Sequence, residues 1–213
     1  MARTILGHVR DADVLLAALG SKAAELPDSQ HAGVEPLLQQ LRSSRTRHRE
    51  ALRDALDSRR YAQLLEQLVV ASSDPPLRDG VGRRRARNVA RKLARKPRRR
   101  LRRAARGLDE GAPDADLHEV RKRAKQARYA HEALTPILGK RARRAAKRFE
   151  DVQEVLGTHQ DSVVAATWLQ DAARDTDRPE EAFCAGQLAG LFLTDRLAAR
   201  NEWVHTWKRA RNY

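Results

Sequence analysis

The chain lacks the residues on which several classes of protein depend. Its 213 residues include a single cysteine, Cys184, so no intramolecular disulfide framework exists. We expect Cys184 to be a small buried hydrophobic residue. Only 4% of the residues are aromatic, so a core must consist mostly of Leu, Val and Ala.

Long apolar stretches are also absent. No run of about 18 uncharged apolar residues could span a membrane, and the first apolar run follows Asp11 and Asp13, which is not the pattern of a signal peptide. Period-two apolar alternation is missing, whereas Ala, Leu, Arg and Glu favour helices. We therefore predict an all-α, soluble, cytoplasmic protein.

Basic residues are abundant and unevenly placed. The chain has 43 Lys and Arg against 28 Asp and Glu, and only 8 of the basic residues are lysines. Residues 83–148 hold 25 basic and 6 acidic residues, whereas the rest of the chain holds 18 and 22. Codon bias in a GC-rich genome would explain the preference for Arg but not this location. The clustering of basic residues in this segment predicts a polyanionic partner. Because guanidinium groups bind phosphate bidentately, the abundance of Arg favours phosphate groups on that partner.

Apolar spacing and helix-breaking residues predict antiparallel helical bundles. The predicted helices cover about 3–25, 34–56, 59–71, 82–107, 117–138, 140–157, 160–175 and 179–209. The basic helix at 82–107 could instead be a disordered arm, but an apolar stripe through Leu93 and Leu101 favours a packed helix. Asp116 and Glu119 resemble a capping box, and Gly139 a helix C-cap. The inward-facing residues are predicted to include Leu37, Leu41, Leu52, Leu56, Tyr61, Leu64, Leu65, Leu68, Val89, Leu93, Leu101, Phe149, Val152 and Leu156.

One helix places several cations on a single stripe. His118, Arg121, Lys125 and Arg128 fall within about a quarter of the helix circumference, with Lys122 at its edge. Like charges at this spacing destabilise a helix unless an anion lies between them. The sequence therefore predicts an anion-binding face on this helix.

A short motif occurs twice, 150 residues apart. Leu6-Gly7-x-x-x-Asp11-x-x-Val14 matches Leu156-Gly157-x-x-x-Asp161-x-x-Val164. The matches suggest a duplication, with each Asp capping a helix after a Leu-Gly turn. A first copy of the His118 helix would then precede Met1, and the N-terminal helix would expose its apolar face unless self-association or repacking covered it.

These motifs resemble the CHAD domain family. The resemblance rests on Leu117-His118-x-x-Arg121-x-x-x-Lys125-x-x-Arg128-Tyr129, on Val155-Leu156-Gly157-x-x-x-Asp161 and on the matching motif near the N-terminus. It implies two pseudo-symmetric helical bundles with a basic cavity or groove between them that binds inorganic polyphosphate. Residues 1–213 would form one such domain, with 1–75 as the remainder of an incomplete first repeat and 76–213 as the second.

The predicted function is non-catalytic binding of polyphosphate. No nucleophile and base, Gly-rich phosphate loop or paired metal-ligand spacing is present, so no catalytic residue, metal or cofactor is predicted. His118 would bind phosphate or pair with a neighbouring helix. The alternatives are a nucleic-acid-binding protein or a scaffold that targets a partner to polyphosphate granules, and the N-terminal helix is a candidate for homo-oligomerisation. The predicted polyphosphate ligands are His118, Arg121, Lys122, Lys125, Arg128, Arg144, Lys147, Arg148, Arg91, Arg95, Arg99 and Arg102.

Overall fold

The computed structural model describes residues 2–75, 80 and 84–212. These residues form α-helices, one short 3-10 helix at Asp28–Gln30 and no strand, which confirms the all-α prediction. The helices are α1 (Ala2–Ala23), α2 (His31–Leu56), α3 (Arg59–Ser73), α4 (Ala86–Ala104), α5 (Asp114–Leu138), α6 (Lys140–Asp175) and α7 (Pro179–Arg211).

Several helix boundaries differ from the predictions. One continuous helix, α6, replaces the two helices expected at 140–157 and 160–175. Asp11 and Asp161 lie inside helices, so neither caps a turn after a Leu-Gly pair. Because α5 begins at Asp114, Asp116 lies inside the helix, and no side chain caps the first turn. The predicted C-cap is confirmed, since Gly139 has a φ of 69°.

The basic helix forms as predicted but buries different residues. Pro97 lies inside α4 without ending it, and the predicted start at 82 lies outside the described residues. Leu93, expected to face inward, is 58% exposed, whereas Ala90 and Ala94 are buried beside Leu101. The small side chains allow α4 to pack closely on α5.

The chain divides into two compact units. The first comprises Met1–Val81 and Val164–Leu191, and the second Gly82–Val163 and Phe192–Tyr213. Both divisions in the second half of the chain fall inside helices, within α6 and α7. The assignment of residues 1–75 and 76–213 to two repeats stays a prediction.

In the first unit, α1 packs along α2. Val9, Leu15 and Leu19 of α1 are buried, as are Leu37 and Leu41 of α2. The sequence predicted that self-association or repacking onto the second half would hide this face. Within the chain, α2 packs on it, while Leu6 and Val14 of α1 stay exposed. Association with a second copy through the N-terminal helix stays a prediction.

The third helix is less covered than its sequence predicts. Leu64, Leu65 and Leu68 were expected to face inward, but each is exposed, at 45%, 46% and 55%. The helix contacts α2 over a short stretch only. Leu56, at the end of α2, is exposed as well.

In the second unit, a core of Leu, Ala and aromatic side chains joins α4, α5, α6 and α7. Leu117, Phe149 and Trp203 lie at its centre, and the Trp203 indole donates a hydrogen bond to the Asp109 carbonyl at 3.2 Å. Predicted inward residues of α6, including Val152 and Leu156, are buried here.

A charged cluster holds the start of α5 in this unit. Asp114 accepts hydrogen bonds from Arg196, at 2.7 Å on its Oδ2, and from Arg200. Arg200 also donates to the carbonyls of Glu110 and Ala112, at 2.7 Å each. Burial raises the pKa of Asp114, but the arginine hydrogen bonds and charges outweigh burial and leave it below its usual value. The cluster thereby orients the helix that carries the basic stripe.

Candidate anion-binding site

The four stripe residues of α5 lie on one half-buried face. His118, Arg121, Lys125 and Arg128 are each partly exposed, whereas Leu117, Val120 and Ala124 on the adjoining face are fully buried. The apolar face anchors the helix in the core, so the cations project from a rigid support. We call these four residues the α5 stripe.

Gly157 of α6 packs against the centre of the stripe. A Cβ atom at this position would lie 3.6 Å from Arg121 Nε and 3.8 Å from its Nη2. A Cβ atom here would be in ordinary van der Waals contact with the guanidinium group, and Gly157 lies inside α6 rather than in a turn. The repeated Leu-Gly motif marked this position, but its role became visible only when α5 and α6 were seen together.

Three stripe residues carry buried nitrogen atoms without a hydrogen-bond partner. Arg121 Nε, His118 Nδ1 and Arg128 Nε are buried, and none of them makes a hydrogen bond within the described part of the chain. Lys125 has no acidic partner among the same residues, and its Nζ lies 5.7 Å from the centre of the Tyr129 ring. Buried polar groups rarely remain unsatisfied in native proteins, so these positions are suited to an external acceptor.

Other predicted ligands are held by carboxylates. Arg128 Nη1 lies 2.9 Å from Glu150 Oε1, and Lys147 Nζ lies 2.9 Å from Glu150 Oε2. Lys122 pairs with Glu119 at 2.6 Å. The hydrogen bond from Lys147 lowers the pKa of Glu150, with a further contribution from the charge of Arg128. These acidic groups neutralise the edges of the stripe but not its centre.

Two predicted ligands have hydrogen-bond partners on α7. Arg148 Nη1 donates to the Arg209 carbonyl at 3.1 Å, and Arg102 donates to the Arg211 carbonyl. Both carbonyls belong to the last turn of α7, where no intrahelical donor remains. The two residues therefore cap α7, and Arg144 is exposed on α6.

The predicted ligands on α4 lie in two further places. Arg91 and Arg95 line a cavity of about 410 Å³ together with Arg87, Arg98 and Arg141. Arg95 also borders a groove of about 540 Å³ that includes Arg99. Arg87 and Arg98 continue the helical spacing of Arg91 and Arg95, so a helical-wheel reading would have found them. His131 also lines the first cavity. The presence of His131 and Arg141 there depends on how α5 and α6 meet and had no signal in the sequence.

Comparison with known families agrees with the motifs. The CHAD domain profile matches residues 2–170. The chain belongs to the CHAD domain family. This family is generally a binding domain and is associated with polyphosphate. No curated protein sequence matches the chain.

Two solved structures share the CHAD fold with this chain. The CHAD domain from the plant Ricinus communis has a TM-score of 0.69 and 29% sequence identity, over 96% of this chain and 69% of that one. PptA from Streptomyces chartreusis has a TM-score of 0.77 and 23% identity, over 97% of this chain and 76% of that one. Among the described residues, every helix is too short or too polar to cross a membrane.

Proposed function

We propose that this protein binds linear inorganic polyphosphate without catalysing a reaction, and that the α5 stripe is the centre of its site. The observation that carries the proposal is the open hydrogen-bonding capacity of Arg121 and His118 beside the charge of Lys125, which lacks an acidic partner among the described residues. Phosphate oxygens would satisfy these donors and relieve the repulsion between neighbouring cations.

The edges of the stripe would extend the site. Lys122, Arg128 and Lys147 pair with partly exposed carboxylates, and such pairs contribute little to stability. A polyphosphate chain would replace the carboxylates as their partner. Arg91, Arg95 and Arg99 of α4 offer further contacts. Counterions released from polyphosphate would provide much of the driving force, as they do with nucleic acids.

A nucleic-acid ligand is the second candidate, and the aromatic content argues against it. Single-stranded nucleic acids bind through bases stacked on exposed aromatic rings. Tyr129 is the exposed aromatic residue beside the stripe, and both Lys125 and Arg128 lie over its ring, at 5.7 and 4.9 Å from the centroid. Polyphosphate, which has no bases, needs no such surface. Polyphosphate binding would also bring the protein to cytoplasmic polyphosphate granules.

The first test compares long-chain polyphosphate with single-stranded DNA at equal phosphate concentration. We expect tighter binding of polyphosphate at salt concentrations between about 50 and 500 mM, a range that spans weak and strong screening. Equal affinities across this range would contradict the proposal.

The double substitution Arg121→Ala with Lys125→Ala tests the site itself. We expect about tenfold weaker binding of polyphosphate, a change of about 1.4 kcal/mol, with a salt dependence flatter by about 0.7 to 0.9 log units for each phosphate that is no longer neutralised. The control is Arg47→Ala with Arg49→Ala, which removes the same charge from the exposed side of α2. Without ligand, the stripe variant should melt at the same temperature or higher, because like charges are removed. A large drop in melting temperature with unchanged affinity for polyphosphate would identify the stripe as structural.

A further inference from the structure

A cavity lies between α4, the end of α5 and the start of α6. Its volume is about 410 Å³, within the range of pockets that hold small organic ligands. Five arginines line it, and no acidic residue is among the described lining residues. The arginines are Arg87, Arg91, Arg95, Arg98 and Arg141.

The cavity differs from the α5 stripe in having an apolar wall. Ala94, Leu138, Ala142 and Ala145 line it beside the arginines. An inorganic polyanion would use the cations but gain nothing from this wall, since its charged oxygens lose water there without a partner. A ligand with both a planar apolar body and anionic groups would use both, because guanidinium groups also stack on aromatic rings.

His131 adds a feature that inorganic phosphate would not use. Its Nδ1 lies 2.7 Å from the Ala127 carbonyl, so this nitrogen carries the proton of the neutral ring. Burial lowers the pKa of His131, and the charge of Arg98 lowers it further, although the Ala127 hydrogen bond opposes them. The other ring nitrogen then accepts hydrogen bonds. This nitrogen would repel phosphate oxygens but accept a hydrogen bond from an amino or hydroxyl group.

The first turn of α6 contributes to the same cavity. Arg141 and Ala142 lie in this turn, which contains no acidic residue. The amino end of a helix carries a partial positive charge that favours anions. Phosphate groups placed near Arg141 would therefore interact with the helix end and the arginines together.

From this combination we propose that the cavity binds a nucleoside diphosphate or triphosphate. The base lies against the wall formed by Ala94, Leu138 and Ala142, and its amino group or the ribose hydroxyl groups donate to His131. The phosphates bind the surrounding arginines. The cavity contains none of the four α5 stripe residues, although Arg91 and Arg95, which were proposed above as further polyphosphate contacts, line it. The nucleotide proposal therefore does not depend on the assignment of the α5 stripe.

The test measures binding of ATP by calorimetry in the protein with Arg121→Ala and Lys125→Ala, where the stripe is weakened. We expect one ATP per chain, bound at least fivefold more tightly than tripolyphosphate and than adenosine. Equal binding of ATP and tripolyphosphate would overturn the proposal, because the cavity would then recognise charge alone. Absence of ATP binding would overturn it as well.

The substitution Ala142→Leu then locates the nucleotide in the otherwise unchanged protein. The larger side chain fills the cavity, so we expect at least tenfold weaker binding of ATP, while affinity for long-chain polyphosphate changes less than twofold. ATP binding that survives Ala142→Leu would refute this location. If Ala142→Leu lowers the melting temperature, the surface variant Arg87→Ala with Arg141→Ala should weaken ATP binding at least fivefold in a folded protein, and unchanged ATP binding there would also refute it. Polyphosphate titrations of the same proteins test the α5 stripe separately.

Discussion

At the scale of single residues, one glycine shows how closely two helices approach in the first unit. A Cβ atom on Gly33 of α2 would lie 2.7 Å from Cys184 Sγ and 2.8 Å from the Glu180 carbonyl oxygen of α7. The second of these is backbone and cannot move alone. Cys184 is the buried small residue that was predicted, and burial raises the pKa of its thiol.

We therefore expect Gly33→Ala to destabilise the protein by about 1 to 3 kcal/mol, the usual cost of overpacking. The matched control is Gly186→Ala on α7, where a Cβ would meet nothing within 4 Å. Alanine favours a helix over glycine by up to about 1 kcal/mol, so the control should be neutral or stabilising. Chemical denaturation measures both, and equal effects of the two substitutions would show that the approach of α2 and α7 is looser than the structure indicates.

At the scale of helices, the end of α7 depends on arginines from other helices. Arg148 of α6 and Arg102 of α4 donate to carbonyls of its last turn. A cation at a helix carboxyl end also interacts favourably with the helix dipole. These two residues contribute to stability before any ligand is present.

The substitution Arg148→Ala should therefore lower stability by about 0.5 to 1.5 kcal/mol, the usual net contribution of one hydrogen bond. Arg144→Ala removes the same charge from an exposed position of the same helix and should change stability little. Hydrogen exchange should show faster opening of the last turn of α7 in the first variant only. If both variants behave alike, Arg148 has no capping role.

At the scale of the whole molecule, buried histidines make stability depend on pH. His159 is fully buried, and its Nε2 lies 3.0 Å from Asp114 Oδ1 in an orientation that makes no hydrogen bond. Burial lowers the pKa of His159, opposed by the charge of Asp114 and assisted by Arg200 and Arg196. Burial likewise lowers the pKa of His131.

A histidine whose pKa is lowered by folding binds more protons in the unfolded chain. The full stability is therefore present above pH 6.5, which is about the pKa of histidine in the unfolded chain, and stability falls as the pH drops below this value. Each tenfold difference in proton affinity between the unfolded and folded states lowers the free energy of unfolding by up to about 1.4 kcal/mol at low pH. We expect thermal stability to fall between pH 7 and 5, and His159→Gln to reduce this dependence. The control His205→Gln changes an exposed residue of α7 and should leave it unaltered. A pH profile that is the same in all three proteins would exclude this account.

Much of the molecule could be read from local sequence. The helical class, the C-cap at Gly139 and the face of α5 that carries Arg121 and Lys125 follow from helix propensity and from the 3.6-residue period, both of which act within a few residues. Helical periodicity cannot say whether a neighbour exists. For that reason Leu64 and Leu93 were expected to be buried but are exposed.

What the sequence by itself determined is the set of helices and the placing of cations on their faces, because these depend on residues three or four positions apart. Only the tertiary structure decided which cations have hydrogen-bond partners within the chain. Arg102 and Arg148 meet the end of α7, and Arg128 meets Glu150. Arg121 lies against Gly157, and its buried Nε has no hydrogen-bond partner among the described residues. These outcomes depend on contacts between residues far apart in the chain, and the charge pattern of one helix does not contain them.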